Sequence, residues 1–282
     1  MAIILNETEQ AKQLLKLGEV GPKPTSTLFL LAKYYRQKEN LDKEQAVSRL
    51  TRFMEQNYKG FQPVLWADTI EDICKKAVRY PLREISHVPV TGPELDRISQ
   101  LPNRKYQKLA FTILCHAKLH NMISANNNSW ANVKINDVYQ SARVSVRQKQ
   151  EKFLCLNDLE RFGYLSFSDQ NDNLNLKVNM IAPDAPPALT VSDFRELGYE
   201  YLNYLGEGSF VRCTKCGRLI KKKSKRDYST KYCADCAKEI KNEQNKRYYR
   251  HKTCLADGCT LTKIQTGTTP ATLLPKTNSG KA

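Results

Sequence analysis

Six of the nine cysteines fall between residues 213 and 259. Four of them form two Cys-x-x-Cys pairs, Cys213/Cys216 and Cys233/Cys236, with sixteen residues between the pairs. Each pair can wrap one edge of a tetrahedron whose metal–sulfur distance is about 2.3 Å for zinc. Gly217, directly after the first pair, allows the turn that points backbone amides at the thiolates. Lysines crowd the segment, and nearby positive charge favours thiolate over thiol. The spacing therefore predicts a structural Zn2+ site with Cys213, Cys216, Cys233 and Cys236 as ligands. A structural site keeps no coordination position for water or substrate, which argues against catalysis there. A thioredoxin-like redox pair would need one Cys-x-x-Cys at a helix start within a βαβ unit, and no βαβ pattern is present.

Other candidate groups carry less. Cys74, Cys115 and Cys155 stand alone in apolar helical contexts, where cysteine behaves as a small hydrophobe. The odd count and the pairs two residues apart favour metal binding over a disulfide framework. His251, Cys254 and Cys259 offer three ligands, one short of a closed site; they read as an imidazole and free thiols, with a second zinc as the alternative. His116 and His120 have the i, i+4 spacing of a metalloprotease helix, but Ala117 stands where that motif needs a glutamate base. They read as histidines at a core edge. No phosphate-binding loop, Gly-x-Ser-x-Gly elbow or carboxylate pair suited to two metals is found, so a non-enzymatic protein is expected.

The 282 residues include 45 Lys+Arg and 29 Asp+Glu, a formal net charge of +16. From Phe210 to Lys252 there are 15 basic and 4 acidic residues, a net +11, leaving only +5 for the rest of the chain. That concentration is the footprint of a polyanion-binding module. Its candidate nucleic-acid contacts are Lys221, Lys222, Lys223, Lys225 and Arg226 between the cysteine pairs, with Lys246, Arg247 and Arg250 beyond them. The expected partner is nucleic acid, duplex DNA first. No apolar run reaches membrane-span length, and the opening residues lack a basic n-region and soon turn acidic, so a cytoplasmic protein is expected.

The elements that must position these residues are predicted to be mainly α with small β elements. Residues 1–102 read as a helical region, with helices starting at Ser26, after Asp42, at Asp68 and after Pro93. Nothing in it carries chemistry, and interaction or assembly is its expected work. Over 103–181 an apolar helix, Tyr106–His120, precedes a short helix capped by Asn136. After a tight Arg143–Val144 connection, Ser145 caps a longer helix, Val146–Phe162, that ends at Gly163. Residues 164–168 and 174–180 then alternate apolar and polar around Asp169–Asn173, the period of a hairpin. Residues 182–208 read as a Pro-rich linker and an aromatic segment containing Phe194, Tyr199, Tyr201 and Tyr204. Residues 209–253 form the four-cysteine module with a basic helix, and 254–282 a disordered tail.

Helix, helix, tight turn, helix and hairpin, with Leu156-x-x-Leu159-x-x-x-Gly163-Tyr-Leu entering a strand, resembles a winged helix-turn-helix DNA-binding domain. The resemblance implies that the exposed start of the longer helix reads base edges in the major groove. By that likeness Ser145, Arg147, Gln148, Glu151 and Lys152 face DNA, and Lys177 lies on the wing near phosphate. Arg and Gln suit bidentate contacts to guanine and adenine respectively. Leu154, Leu159 and Phe162 are expected in the core. The four-cysteine segment and its basic tail resemble zinc ribbons, and the whole looks like accessory replication or regulatory proteins of phages and mobile elements. Two alternatives stand beside this: an inhibitor that docks on a host nucleic-acid enzyme, and an RNA-binding protein.

Overall fold

Four helices open the chain: α1 (Glu7–Leu17), α2 (Pro24–Gln37), α3 (Lys43–Asn57) and α4 (Pro63–Ala77). The computed structural model describes residues 3–168, 175–222 and 229–256. Local chemistry sets the helix ends. Asn6 accepts a hydrogen bond from the Glu9 amide (3.0 Å), and Asp42 with Gln45 forms a reciprocal capping box. The helix expected to open at Asp68 begins instead at Pro63, because proline at the first helical position forfeits no hydrogen bond and already has a helical φ. Leu28, Leu31, Leu50, Met54 and Ile70 are sealed inside this bundle.

A second core follows, built around α6 (Arg104–Ile123). Leu109, Ala110, Phe111, Ile113, Leu114 and Leu119 are all buried, so this helix is apolar around most of its circumference and is wrapped by neighbours. Before it come β1 (Val88–Thr91) and α5 (Gly92–Ser99). After it come β2 (Trp130–Ala131), α7 (Ile135–Ser141), α8 (Lys149–Arg161), β3 (Leu165–Phe167), β4 (Leu176–Val178), β5 (Pro187–Val191) and α9 (Leu197–Tyr204). β4 lies between β2 and β3 in an antiparallel sheet, with Trp130 opposite Lys177 and Leu165 opposite Val178.

Two expected boundaries move. Val88, Val90, Leu95 and Ile98 pack with α6, so the division between the cores falls before β1 rather than at residue 102. Residues 182–208 are no linker: β5 pairs with β1, Val191 against Val88, and Phe194, Leu197 and Tyr201 enter the second core. Tyr201 stacks 5.2 Å from Phe111. The Ala182 amide donates to Glu94 (3.0 Å), a fully buried carboxylate that also holds Lys118 at 2.7 Å. Pairing across a hundred residues leaves no local period, and the prolines disguised the strand.

Beyond α9, β6 (Phe210–Arg212) and β7 (Leu219–Lys221) form a hairpin, and α10 spans Ala234–Ala256. The chain divides into two compact units, the second beginning at Tyr232. The division falls inside the expected 209–253 module. No described helix is long and apolar enough to cross a membrane.

Candidate metal centre and its neighbourhood

The first cysteine pair sits on the turn joining β6 to β7. The Cys213 amide donates to the Arg218 carbonyl and the Gly217 amide to the Cys213 carbonyl, both at 2.8 Å, folding residues 213–218 into a tight knuckle. Gly217 has φ +71°, a conformation that a side chain would strain. The Thr214 amide and hydroxyl both donate to the Lys231 carbonyl (3.0 and 3.2 Å), which draws the returning chain to the knuckle two residues before Cys233.

The second pair stands at the start of α10. The Cys233 carbonyl accepts from the Ala237 amide at 2.9 Å, so Cys233 occupies the cap and Cys236 the first turn. The positive end of a helix dipole stabilises thiolate there. The four sulfurs all lie within 4.8 Å of one another. A tetrahedron with metal–sulfur bonds of about 2.3 Å has edges of about 3.8 Å, so this set needs only a small contraction to close on an ion. Cys213, Cys233 and Cys236 are buried, and these three, like Cys74, Cys115, Cys155 and Cys216, are in no disulfide. Among the described residues no other cluster of His, Cys, Asp or Glu has this proximity. The residues can therefore hold a metal ion.

The hairpin rests on α9 and the strap before it. Arg195 chelates Asp193 and donates to the Cys216 carbonyl (2.7 Å), while Arg212 pairs with buried Glu200 at 3.0 Å. Burial pushes the Glu200 carboxyl up, and the Arg212 guanidinium opposes that shift. Phe210 packs 5.3 Å from Tyr199.

The expected nucleic-acid residues fall into separate groups. The helix predicted from Val146 starts three residues later: Gln148 is the cap of α8, and its side chain makes no capping bond. Ser145 caps nothing. Arg143 adopts φ +52°, the Val144 amide returns to the Tyr139 carbonyl (3.1 Å), and Val144 and Val146 face the core. Inward packing of Val144 and Val146 keeps 144–148 out of the helix, which local capping rules could not foresee. Ser145, Arg147 and Gln148 are exposed on this turn, and Glu151 on the first turn of α8. Lys152 reaches Asn136 at 2.9 Å and lies over the Tyr139 ring. Leu159 is buried as expected, but Leu154 is 60% and Phe162 47% exposed. The buried stripe runs instead through Cys155, Leu156 and Leu159. Gly163 does end the helix in the left-handed region, with the Tyr164 amide on the Leu159 carbonyl (3.0 Å) and its own on Glu160 (2.7 Å).

Lys177 is exposed at the centre of β4, between Trp130 and Ser166. Lys221 is exposed on β7, with Lys222 half-buried beside it. Lys246 and Arg247 are exposed on α10 next to Tyr248 and Tyr249, and Arg250, His251 and Cys254 continue the same helix. Lys223, Lys225, Arg226, Cys259, the tail from 257 and the 169–173 turn lie outside the described residues. Sequence reasoning missed a groove of about 680 Å³ beside the 143–147 turn, whose walls include Asn136, Gln140, Arg143, Arg147, Lys152 and Tyr199. Tyr199 comes from another element, so only the tertiary structure reveals it.

Among the described residues, His116 and His120 belong to no cluster of three or more candidate metal ligands. His116 is buried, both ring nitrogens lack a partner, and its ring stands edge-on to Phe194 at 5.3 Å. Burial pushes its pKa down to about 3, so it is neutral at physiological pH. Comparison with protein-family models, curated proteins and solved structures finds no match to this chain.

Proposed function

We propose that the protein is a non-enzymatic, zinc-containing DNA-binding protein that joins a winged helix to a zinc-ribbon-like module. The carrying observation is the order α6, β2, α7, turn, α8, β3, β4 with β4 between β2 and β3. That is the connectivity expected of a winged helix, with α8 as recognition helix and β3–β4 as wing. Arg147 and Gln148 precede α8 on an exposed turn, a place from which side chains can reach base edges. Zinc fits the four thiolates best, since soft, closed, tetrahedral sulfur sites favour it. The ion supplies structure and no open position. The net +11 between Phe210 and Lys252 supports a sequence-independent grip on phosphate.

Replication or regulation in a phage or mobile element is the setting that the sequence likeness suggests. A second reading, docking on a host nucleic-acid enzyme, draws on Val64 and Leu65, which stand 88% and 72% exposed on the first turn of α4.

Selection on random duplexes followed by mobility-shift titration tests the proposal. A preferred site should emerge, and Arg147→Ala should cost about 1–3 kcal/mol on that site and far less on random DNA. Equal weakening on all sequences would reduce Arg147 to a phosphate contact. Failure to bind duplex DNA, single-stranded DNA or structured RNA would reject the nucleic-acid reading and favour the docking one.

A further inference from the structure

The strap 193–199 touches the metal knuckle on one side and the α7–α8 turn on the other. Glu196 is only 2% exposed, and its carboxylate receives two hydrogen bonds from Arg143. Arg143 is the turn residue held at φ +52°. The same carboxylate lies 3.8 Å from Arg218, whose carbonyl closes the knuckle through the Cys213 amide. One residue earlier, Arg195 is fixed by Asp193 and donates to the Cys216 carbonyl at 2.7 Å.

Further contacts run in parallel. Tyr199 lies 5.6 Å from the Arg143 guanidinium and 5.3 Å from the Phe210 ring at the start of the hairpin. Gly198 crosses the turn so closely that a Cβ there would sit 1.9 Å from the Ala142 carbonyl oxygen. The turn cannot swing out without leaving a buried carboxylate short of its main cation, a costly state. A left-handed non-glycine residue also needs such support, being unfavourable by itself. At the other end, the buried side chains of the hairpin are Cys213 and Leu219, so apolar packing alone cannot hold the knuckle.

We infer that metal loading sets the geometry of the 143–147 turn through the Glu196 clasp, and thereby regulates nucleic-acid binding there. The binding half of this inference rests on the function proposed above; the mechanical half does not. Glu196 is a positioning residue: it holds Arg143 and need not touch the ligand.

Hydrogen exchange on the full chain, zinc-loaded and chelator-stripped, separates the two halves. Stripping should speed exchange across 139–148 about tenfold or more while α2–α4 keep their protection. Zinc-loaded Glu196→Gln should show the same local acceleration at unchanged metal content. Equal protection of the turn in loaded and stripped protein, or wild-type protection in loaded Glu196→Gln, overturns the coupling. Should Glu196→Gln fail to fold, Arg195→Gln cuts the tie to Cys216 together with its pair to Asp193 and leaves the Glu196–Arg143 bonds in place. Its turn should loosen with zinc bound, and an unchanged turn overturns the inference. Duplex DNA affinity should fall in step with protection. A turn that loosens while affinity holds overturns the regulatory half. If even the loaded wild type binds no nucleic acid, the function proposal and the regulatory half fail together, and the exchange data still decide the coupling.

Discussion

The α1–α4 bundle and the segment from β6 to α10 solve the same problem by opposite means. The bundle buries Leu28, Leu31, Leu50, Phe53, Met54 and Ile70 against one another. Among the described residues from 209 to 249, the buried ones are Cys213, Leu219, Cys233 and Cys236. Three of those four are thiols. Such a segment has too little apolar surface to offset the entropy of ordering its chain, and a metal bond is the available substitute. The difference teaches where function can reside: the region without a core is also the one free to carry dense positive charge.

Removing the metal should produce the largest contrast. Apparent zinc affinities for structural sites are about 10–16 kcal/mol, and that energy is folding energy. Cys213→Ser or Cys236→Ser should therefore unfold the hairpin and knuckle, while exchange protection in α2–α4 stays as in the wild type. Purified, reduced protein should carry about one zinc per chain by metal analysis. Zinc-free protein with an intact, protected β6–β7 hairpin would erase the contrast.

The reverse perturbation is Leu50→Ala in the bundle. It should cost about 2–5 kcal/mol in denaturant unfolding of the bundle and leave zinc content untouched. Loss of zinc along with stability would mean that the bundle and the metal site unfold together.

A smaller effect should come from the second core. The unfolded chain protonates His116 near the ordinary histidine value of 6.5, whereas burial lowers the folded value to about 3. The unfolded state thus binds more protons below 6.5, and stability present above that value is lost as pH falls toward 3. From pH 7 to pH 5 the loss should be about 2 kcal/mol. Comparison with His116→Leu subtracts the competition of protons for the metal thiolates. Identical pH slopes in the two proteins would show that the imidazole is not held neutral. The smallest expected change is Asp42→Ala, which removes the capping box of α3 at a cost of about 1 kcal/mol, visible as a modest shift in bundle unfolding alone.

What could be read from the sequence was what sequence-local physics controls. The Asp42 cap, the Gly163 stop and the helical period of α2 and α3 act within a few residues, and all are found in the structure. The cluster of four cysteines that could hold a metal ion was legible for the same reason, because each Cys-x-x-Cys pair is a local device. The start of α8 was misplaced because Ser145 offered a plausible cap, whereas inward packing of Val144 and Val146 decided the backbone.

The chain by itself therefore determined the candidate ligand set, the charge concentration, most helices and the order of elements around the turn. Tertiary structure alone decided that residues 182–208 belong to a core, that β5 closes on β1, and that Glu196 reaches Arg143 over fifty-three positions. Those contacts join residues distant in sequence, whose attraction depends on burial and on chain closure. Neither leaves a period or a motif in the residues themselves.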